Sequence, residues 1–369
     1  MTESSSRPHA SVRPEIWLVL ASVGGSFLVY LPFLRDMSPV YRFWDGPNYL
    51  TVARTLYDIR LDNPLLAYVY RPTYFLTHLP LYPLCVRALS LFGYQHALLL
   101  VSVLATAAAV LLFYRLARDV WGLPAAEFLS LVFLFLPPRW LLYRSTGATE
   151  GLYLALALAS ILAFERSRVG WACALAGLAA VTRVPGLMFA PAYGIVLLRT
   201  RRFRSLPWLA LVPAGLFAYC VFCAVAFGDF FAYLAPHGEK LAAFRPFGFL
   251  PVLFEKGLYH QVEFHILLAL LYAVGISRLP KGSAVFAYCV FQYALLLCVS
   301  TEDWSRYFLV IAPFALIVGY RDLIASRPFR WMFPAFAALS VYYAWGVIPL
   351  NGCRPDIYQA LLEHLGISN

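Results

Sequence analysis

Asp45 stands in the run Trp44-Asp45-Gly46-Pro47-Asn48-Tyr49, where Gly46 suits a helix cap and Pro47 its first turn. A carboxylate there feels opposed influences: the positive helix end favours its charged form, while apolar surroundings disfavour it. Such a group can take a hydroxyl proton near neutral pH or simply cap the helix, and spacing alone leaves both open. Glu150 opens an otherwise apolar stretch, where an ionisable group is costly unless it faces the protein interior or a wet cavity. It suits a helix cap, a partner for Arg144 or Arg183, or a ligand for a hydroxyl. Glu302 and Asp303 form the one adjacent acidic pair, the weak candidate for a divalent cation; no Asp-x-Asp occurs, and His260 and His265 lie five apart. Cys220-x-x-Cys223 lies in an apolar stretch with nothing nearby to lower a thiol pKa, so it reads as helix packing, not redox chemistry.

The elements that must position these groups are membrane helices. The chain has 369 residues, 62% hydrophobic and only 13% charged, with a mean hydropathy of +0.70. Soluble domains carry roughly 25% charged residues, so a soluble enzyme is excluded, as are disorder and a disulfide scaffold. Apolar runs of 15–22 residues suit helices crossing a ~30 Å hydrocarbon core, whereas barrel strands would alternate over about ten residues. The net charge of +10 rests on 29 basic residues, of which only Lys240, Lys256 and Lys281 are lysine. They form no basic face of the kind nucleic acid needs.

Eleven spans are predicted, within about two: 15–34, 95–117, 123–142, 149–165, 170–182, 185–199, 207–227, 263–278, 283–300, 306–324 and 331–350. Residues 1–14 form a polar tail, 15–350 one transmembrane domain, and 351–369 a second tail. The first run is too long for a cleaved signal and reads as a retained signal anchor. With the N-terminus in the cytoplasm, short cytoplasmic segments hold three times the basic residues of the opposite side. The C-terminal tail and the acidic residues Asp45, Glu150, Asp229, Glu302 and Asp303 then fall on the non-cytoplasmic face, with His78, His260 and His265.

Two segments on that face, 35–94 and 228–262, are too long to be plain connectors. The first carries twelve aromatic residues, among them Trp44 and Tyr49, which suit both a membrane interface and stacking on sugar rings. Within it an amphipathic helix is predicted from Gly46, with Tyr49, Ala53, Leu56 and Tyr57 on one face and the helix lying along the membrane. A second runs over 81–92 and stops at Gly93. Asp229, in an aromatic-rich segment, is a candidate for closing over a substrate.

In this order the motifs resemble the GPI mannosyltransferase II (PIG-V-type) family, of the GT-C superfamily of membrane glycosyltransferases. Trp44-Asp45-Gly46-x-x-Tyr49 and Leu81-Tyr82-Pro83-Leu84 are similar to that family's first-loop pattern. Ser145-x-x-Ala148-x-Glu150-Gly151-Leu152-Tyr153, Thr182-Arg183-Val184-Pro185-Gly186, Phe227-Gly228-Asp229 and Ser305-Arg306-Tyr307 follow in the family's order, over about residues 40–320. The arginine-dominated basic usage points to a bacterial relative in a plasma membrane; a eukaryotic chain would lie in the endoplasmic reticulum.

The resemblance implies a GT-C-like, all-α polytopic fold and an inverting transfer of a hexose, mannose first, from a polyprenyl-phosphate carrier to a lipid or glycan acceptor. It implies Asp45 as the base. The leaving phosphate needs cations, and guanidinium groups hold two phosphate oxygens at once. Arg183 and Arg306, in matched motifs, rank above Arg71, Arg144 and Arg139. Trp44, Asn48, Tyr49, Glu150, Asp229 and Tyr307 are the expected substrate contacts. No cofactor is implied, and a divalent metal on Glu302 and Asp303 is not favoured. The competing readings are a lipid or small-molecule transporter or flippase, which the helix count also suits, and a non-catalytic subunit of a lipid-modifying complex.

Overall fold

The computed structural model describes residues 13–234, 244–301 and 303–367. It is helical throughout, with no strand among the described residues. Each of the eleven predicted spans falls on helix. Among the described residues five helices are long and apolar enough to cross a membrane: Pro14–Phe33, Tyr94–Val120, Phe203–Phe227, Tyr259–Ser277 and Arg327–Leu350. Ala126–Phe135 and Pro138–Arg144 are bent by 74°, where Pro137 and Pro138 interrupt the backbone hydrogen bonds. The remaining apolar helices, such as Val169–Ala180 and Ala284–Cys298, are shorter. At 1.5 Å per residue twelve residues reach about 18 Å, short of a ~30 Å core.

Small residues let these helices approach closely, as the lipid environment requires. The Tyr94–Arg115 helix packs on Glu150–Glu165, which packs on Val169–Ala180, and that on Leu211–Phe227. At the last contact a Cβ on Gly177 would lie 2.4 Å from the Leu211 carbonyl oxygen. The predicted 306–324 span is broken into short helical turns with Pro313 inside it. One of those turns crosses the Tyr259–Ser277 helix where a Cβ on Gly275 would stand 2.0 Å from the Ala315 oxygen.

The Gly46–Thr55 helix does form, with a wider buried face than an amphipathic surface helix needs. Gly46, Pro47 and every residue from Tyr49 to Ala53 are buried, while Leu56 is exposed. It packs against Leu81–Ala88, Tyr94–Arg115 and the C-terminal Pro355–Leu365 helix. Thus it sits inside the protein instead of lying along the membrane. The second predicted helix spans Leu81–Ala88, with a further turn ending before Gly93. The C-terminal segment is no free tail: Arg54 Nε donates to the Leu365 oxygen at 3.0 Å, and the Tyr358 hydroxyl to Gln95 Oε1 at 3.2 Å. All seven cysteines are unpaired thiols.

Candidate active site

Asp45 is held by its backbone neighbours on both sides. The Trp44 N–H donates to the Asn351 oxygen and the Cys353 N–H to the Arg42 oxygen, each at 3.0 Å, a two-residue clamp centred on Phe43 and Gly352. Trp44 itself adopts φ +47, a left-handed conformation costing about 1–2 kcal/mol that the clamp sustains. Gly46 then passes so near the preceding turn that a Cβ would stand 2.6 Å from the Tyr41 oxygen. No other residue fits there without a shift. Asp45 occupies the cap position of the Gly46–Thr55 helix, yet its side chain makes no capping bond.

Instead the carboxylate turns to residues far along the chain. Arg306 Nη1 donates to Asp45 Oδ2 at 3.1 Å, and His78 Nε2 stands 3.8 Å from Oδ1. Arg306 Nε donates to Glu150 Oε1 at 2.6 Å, and Arg183 Nη1 donates to the same oxygen at 2.7 Å and to Thr149 Oγ1 at 3.0 Å. One buried carboxylate oxygen therefore fixes two guanidinium groups. Asp303 extends the network, accepting from Arg139 and lying 3.9 Å from Arg306 Nη1. Arg139 also donates to Ser305.

The electrostatics follow from this geometry. Burial alone would raise Asp45, but the Arg306 guanidinium and His78 outweigh it and hold the carboxyl well below the usual range. The apolar setting expected to lift its proton affinity is thus overruled by a partner that spacing did not reveal. Asp303 goes the other way: burial raises it more than Arg139 and Arg306 lower it. Aromatic faces hold the cations in place. The Arg306 guanidinium carbon lies 4.2 Å from the Tyr143 ring centre and 6.0 Å from that of Trp44, and Arg183 lies 5.9 Å from that of Tyr307.

Trp44, Asp45, Tyr49, Glu150, Arg183, Asp303, Arg306 and Tyr307, expected from separate motifs, thus converge. The Tyr49 ring stacks edge-on against His78 at 5.0 Å. Asn48 is half-buried on the same helix as Tyr49. Other expected residues stand apart. Arg144 is completely buried beneath the first helix, donating to the Leu134 and Ser22 oxygens and to Ser26 Oγ; it pairs with neither Glu150 nor any other carboxylate among the described residues. Arg71 is exposed and makes no ion pair among the described residues. Asp229 is exposed and accepts from the Phe231 N–H at 2.8 Å. Glu302 lies outside the described residues, and among those described no three His, Cys, Asp or Glu side chains gather as a metal site would require.

Sequence reasoning missed His78, whose only signal was its place in the same long segment as Asp45. It also ranked Arg139 low and left Tyr143 unnamed, although both contact the network.

No protein-family profile and no curated protein matches the sequence. The fold does match solved structures. ArnT from Cupriavidus metallidurans bound to undecaprenyl phosphate superposes with a TM-score of 0.57 at 16% identity, covering 85% of this chain and 61% of that one. The same enzyme in its apo state gives 0.55 at 14% identity, with the same coverage. The chain therefore spans less than two thirds of ArnT, a glycosyltransferase of the GT-C superfamily. What it shares with ArnT is the GT-C fold, an all-helical membrane architecture.

Proposed function

We propose that this protein is an integral-membrane inverting glycosyltransferase that moves a hexose from a polyprenyl-phosphate carrier to a hydroxyl of a lipid or glycan acceptor. The observation that carries the reading is the contact of Asp45 with Arg306, beside Arg183 on the shared Glu150 oxygen. It sets a proton acceptor next to two cations suited to a departing phosphate. That the solved ArnT structure holds undecaprenyl phosphate supports a carrier of the same chemistry here.

In the proposed reaction Asp45 takes the acceptor hydroxyl proton as that oxygen attacks the anomeric carbon, and the polyprenyl phosphate leaves on Arg306 and Arg183. Tyr143 and Trp44 keep the Arg306 plane fixed, so little reorganisation is needed as charge develops. Trp44, Asn48, Tyr49 and Tyr307 would line the sugar; mannose is the first donor to test, on the strength of the motif resemblance. Asp229 and Arg71 would engage substrate from the outer edge. The site would face away from the cytoplasm, in a bacterial plasma membrane, where a lipid carrier presents its headgroup. A fixed ion-pair network of this kind favours transfer over transport, since a carrier needs a site reachable from both sides.

The test is an assay of purified protein with polyprenyl-phosphate-mannose, and other polyprenyl-phosphate hexoses, together with a lipid extract. New glycolipid and free polyprenyl phosphate are the expected products. Full turnover by Asp45→Asn would remove the base role, and movement of donor across liposomes without bond formation would favour a flippase.

A further inference from the structure

Far from Asp45 the fold forms a basic groove walled by tryptophan, which the transfer chemistry does not use. The Glu150–Glu165 helix starts in the charged network and, at 1.5 Å per residue, carries the chain about 24 Å to its other end. There the chain turns into Val169–Ala180, which packs on Phe203–Ala210. Ser167, Arg168, Trp171, Ala174, Ser205 and Trp208 line a groove of about 660 Å³ between them. Gly170 shapes one wall: a Cβ there would stand 3.4 Å from two atoms of the Trp208 ring. The indole thus rests against the start of the helix and leaves its other side open. Trp208 is 51% exposed and Trp171 70%, and no residue of Phe203–Ala210 is buried.

Six arginines stand at this end: Arg166, Arg168, Arg199, Arg201 and Arg204 are exposed and Arg202 is half-buried. None forms an ion pair among the described residues. The nearby acids do not balance them, since Asp119 is held by Arg118 and Glu165 opens into a separate hollow beside Arg321. Phosphate is the group that guanidinium forks recognise, and the apolar surface shows what carries it. Trp171, Ala174 and Leu178, at i, i+3 and i+7, form the uncovered stripe of their helix, while Gly177 faces inward against the Leu211 oxygen. A free phosphate ion would leave that stripe bare, whereas an acyl chain covers it. The arginine distribution of the sequence predicts this end to be cytoplasmic, facing the leaflet richer in anionic lipid.

We propose that this groove binds an anionic phospholipid, with the headgroup phosphate on Arg168, the glycerol region between Trp171 and Trp208, and one acyl chain along the Trp171–Leu178 stripe. Indole rings suit that level of a bilayer. The surplus of unpaired arginines favours a lipid with net negative charge over a zwitterionic one of the same shape. The site lies a helix length from Glu150 and does not depend on the transferase reading.

Native mass spectrometry of the full chain in detergent, titrated with phosphatidylglycerol or phosphatidylcholine, tests the proposal without any turnover assay. Wild type should hold phosphatidylglycerol about tenfold more tightly, and the preference should shrink as ionic strength rises. Arg168→Gln should weaken phosphatidylglycerol about fivefold, and Trp171→Ala should weaken both lipids. Arg327→Gln, the same charge change outside the groove, should leave both affinities within about twofold of wild type. Equal binding of the two lipids by wild type overturns the inference, as does an Arg168→Gln protein that keeps the preference. An equal loss from Arg327→Gln overturns it in favour of diffuse surface charge, and displacement of the lipid by inorganic phosphate overturns it in favour of a free-phosphate site. Should Arg168→Gln unfold, Trp171→Ala on the exposed face decides, and unchanged lipid retention overturns the site.

Discussion

Arg306 and Asp45 meet at 3.1 Å across 261 residues of sequence. Arg306 also engages Glu150, which holds Arg183, so the charges form one unit and the effects of replacing them should not add. Arg306→Lys keeps the cation but loses the planar fork that serves Glu150 and Asp45 together. The expected loss in kcat/KM is on the order of 10²–10³ with a folded protein. Near-wild-type turnover by Arg306→Lys would mean that the charge alone suffices.

Glu150 carries a structural burden as well. With its carboxylate only 1% exposed and shared by two guanidinium groups, Glu150→Gln leaves buried cations without their counter-ion. The expected cost is about 3–5 kcal/mol, read as a lower midpoint of thermal unfolding in detergent. An unchanged midpoint would show that solvent reaches the pair.

Much of this arrangement was legible in the sequence. The low charge and long apolar runs dictated membrane helices; Glu150 stood out because an ionisable group opening an apolar stretch is costly, Asp45 as a carboxylate at a helix start, and Arg183 and Arg306 as guanidinium groups in motifs that resemble a known family. What stayed hidden depends on contacts between distant segments. Arg144 resembles Arg183 in sequence, an arginine just past a short apolar run, yet one is spent on carbonyl oxygens beneath the first helix and the other joins the site. Nothing local separates them. Likewise His78 gains meaning only because the Pro72–Thr77 turn brings it beneath Asp45. The span count exceeded the number of helices of full crossing length because apolar runs report burial, whether in lipid or in protein.

That contrast gives a third prediction. Arg144→Gln strands the Leu134 and Ser22 carbonyls and should destabilise by about 2–3 kcal/mol, while the donor KM of the folded fraction stays as in wild type. A selective rise in donor KM would return Arg144 to the phosphate site.

Acid sensitivity should trace in part to Asp45. Its folded carboxyl lies below the ordinary value of 3.8, so its charge stabilises the fold fully above that value. The contribution is lost as pH falls through the lower folded value. Asp45→Asn should therefore flatten the acid end of a stability profile and leave a constant difference at neutral pH. Parallel wild-type and variant profiles down to the lowest accessible pH would show that the pair with Arg306 adds no net stability.

Gly46 offers the sharpest test of the clamp around the site. A methyl group there meets the Tyr41 backbone oxygen at 2.6 Å, with Gly147 packed behind it, so Gly46→Ala forces the 44–46 turn outward. Overpacking of this kind costs about 1–3 kcal/mol, and the displaced backbone carries Asp45 with it. A shift of 1 Å in a catalytic group lowers turnover roughly 10²-fold, so activity should fall far more than stability. If Gly46→Ala lost stability while turnover per folded molecule held, the Trp44 and Gly46 turn would be mere packing and Asp45 would be positioned by Arg306 alone.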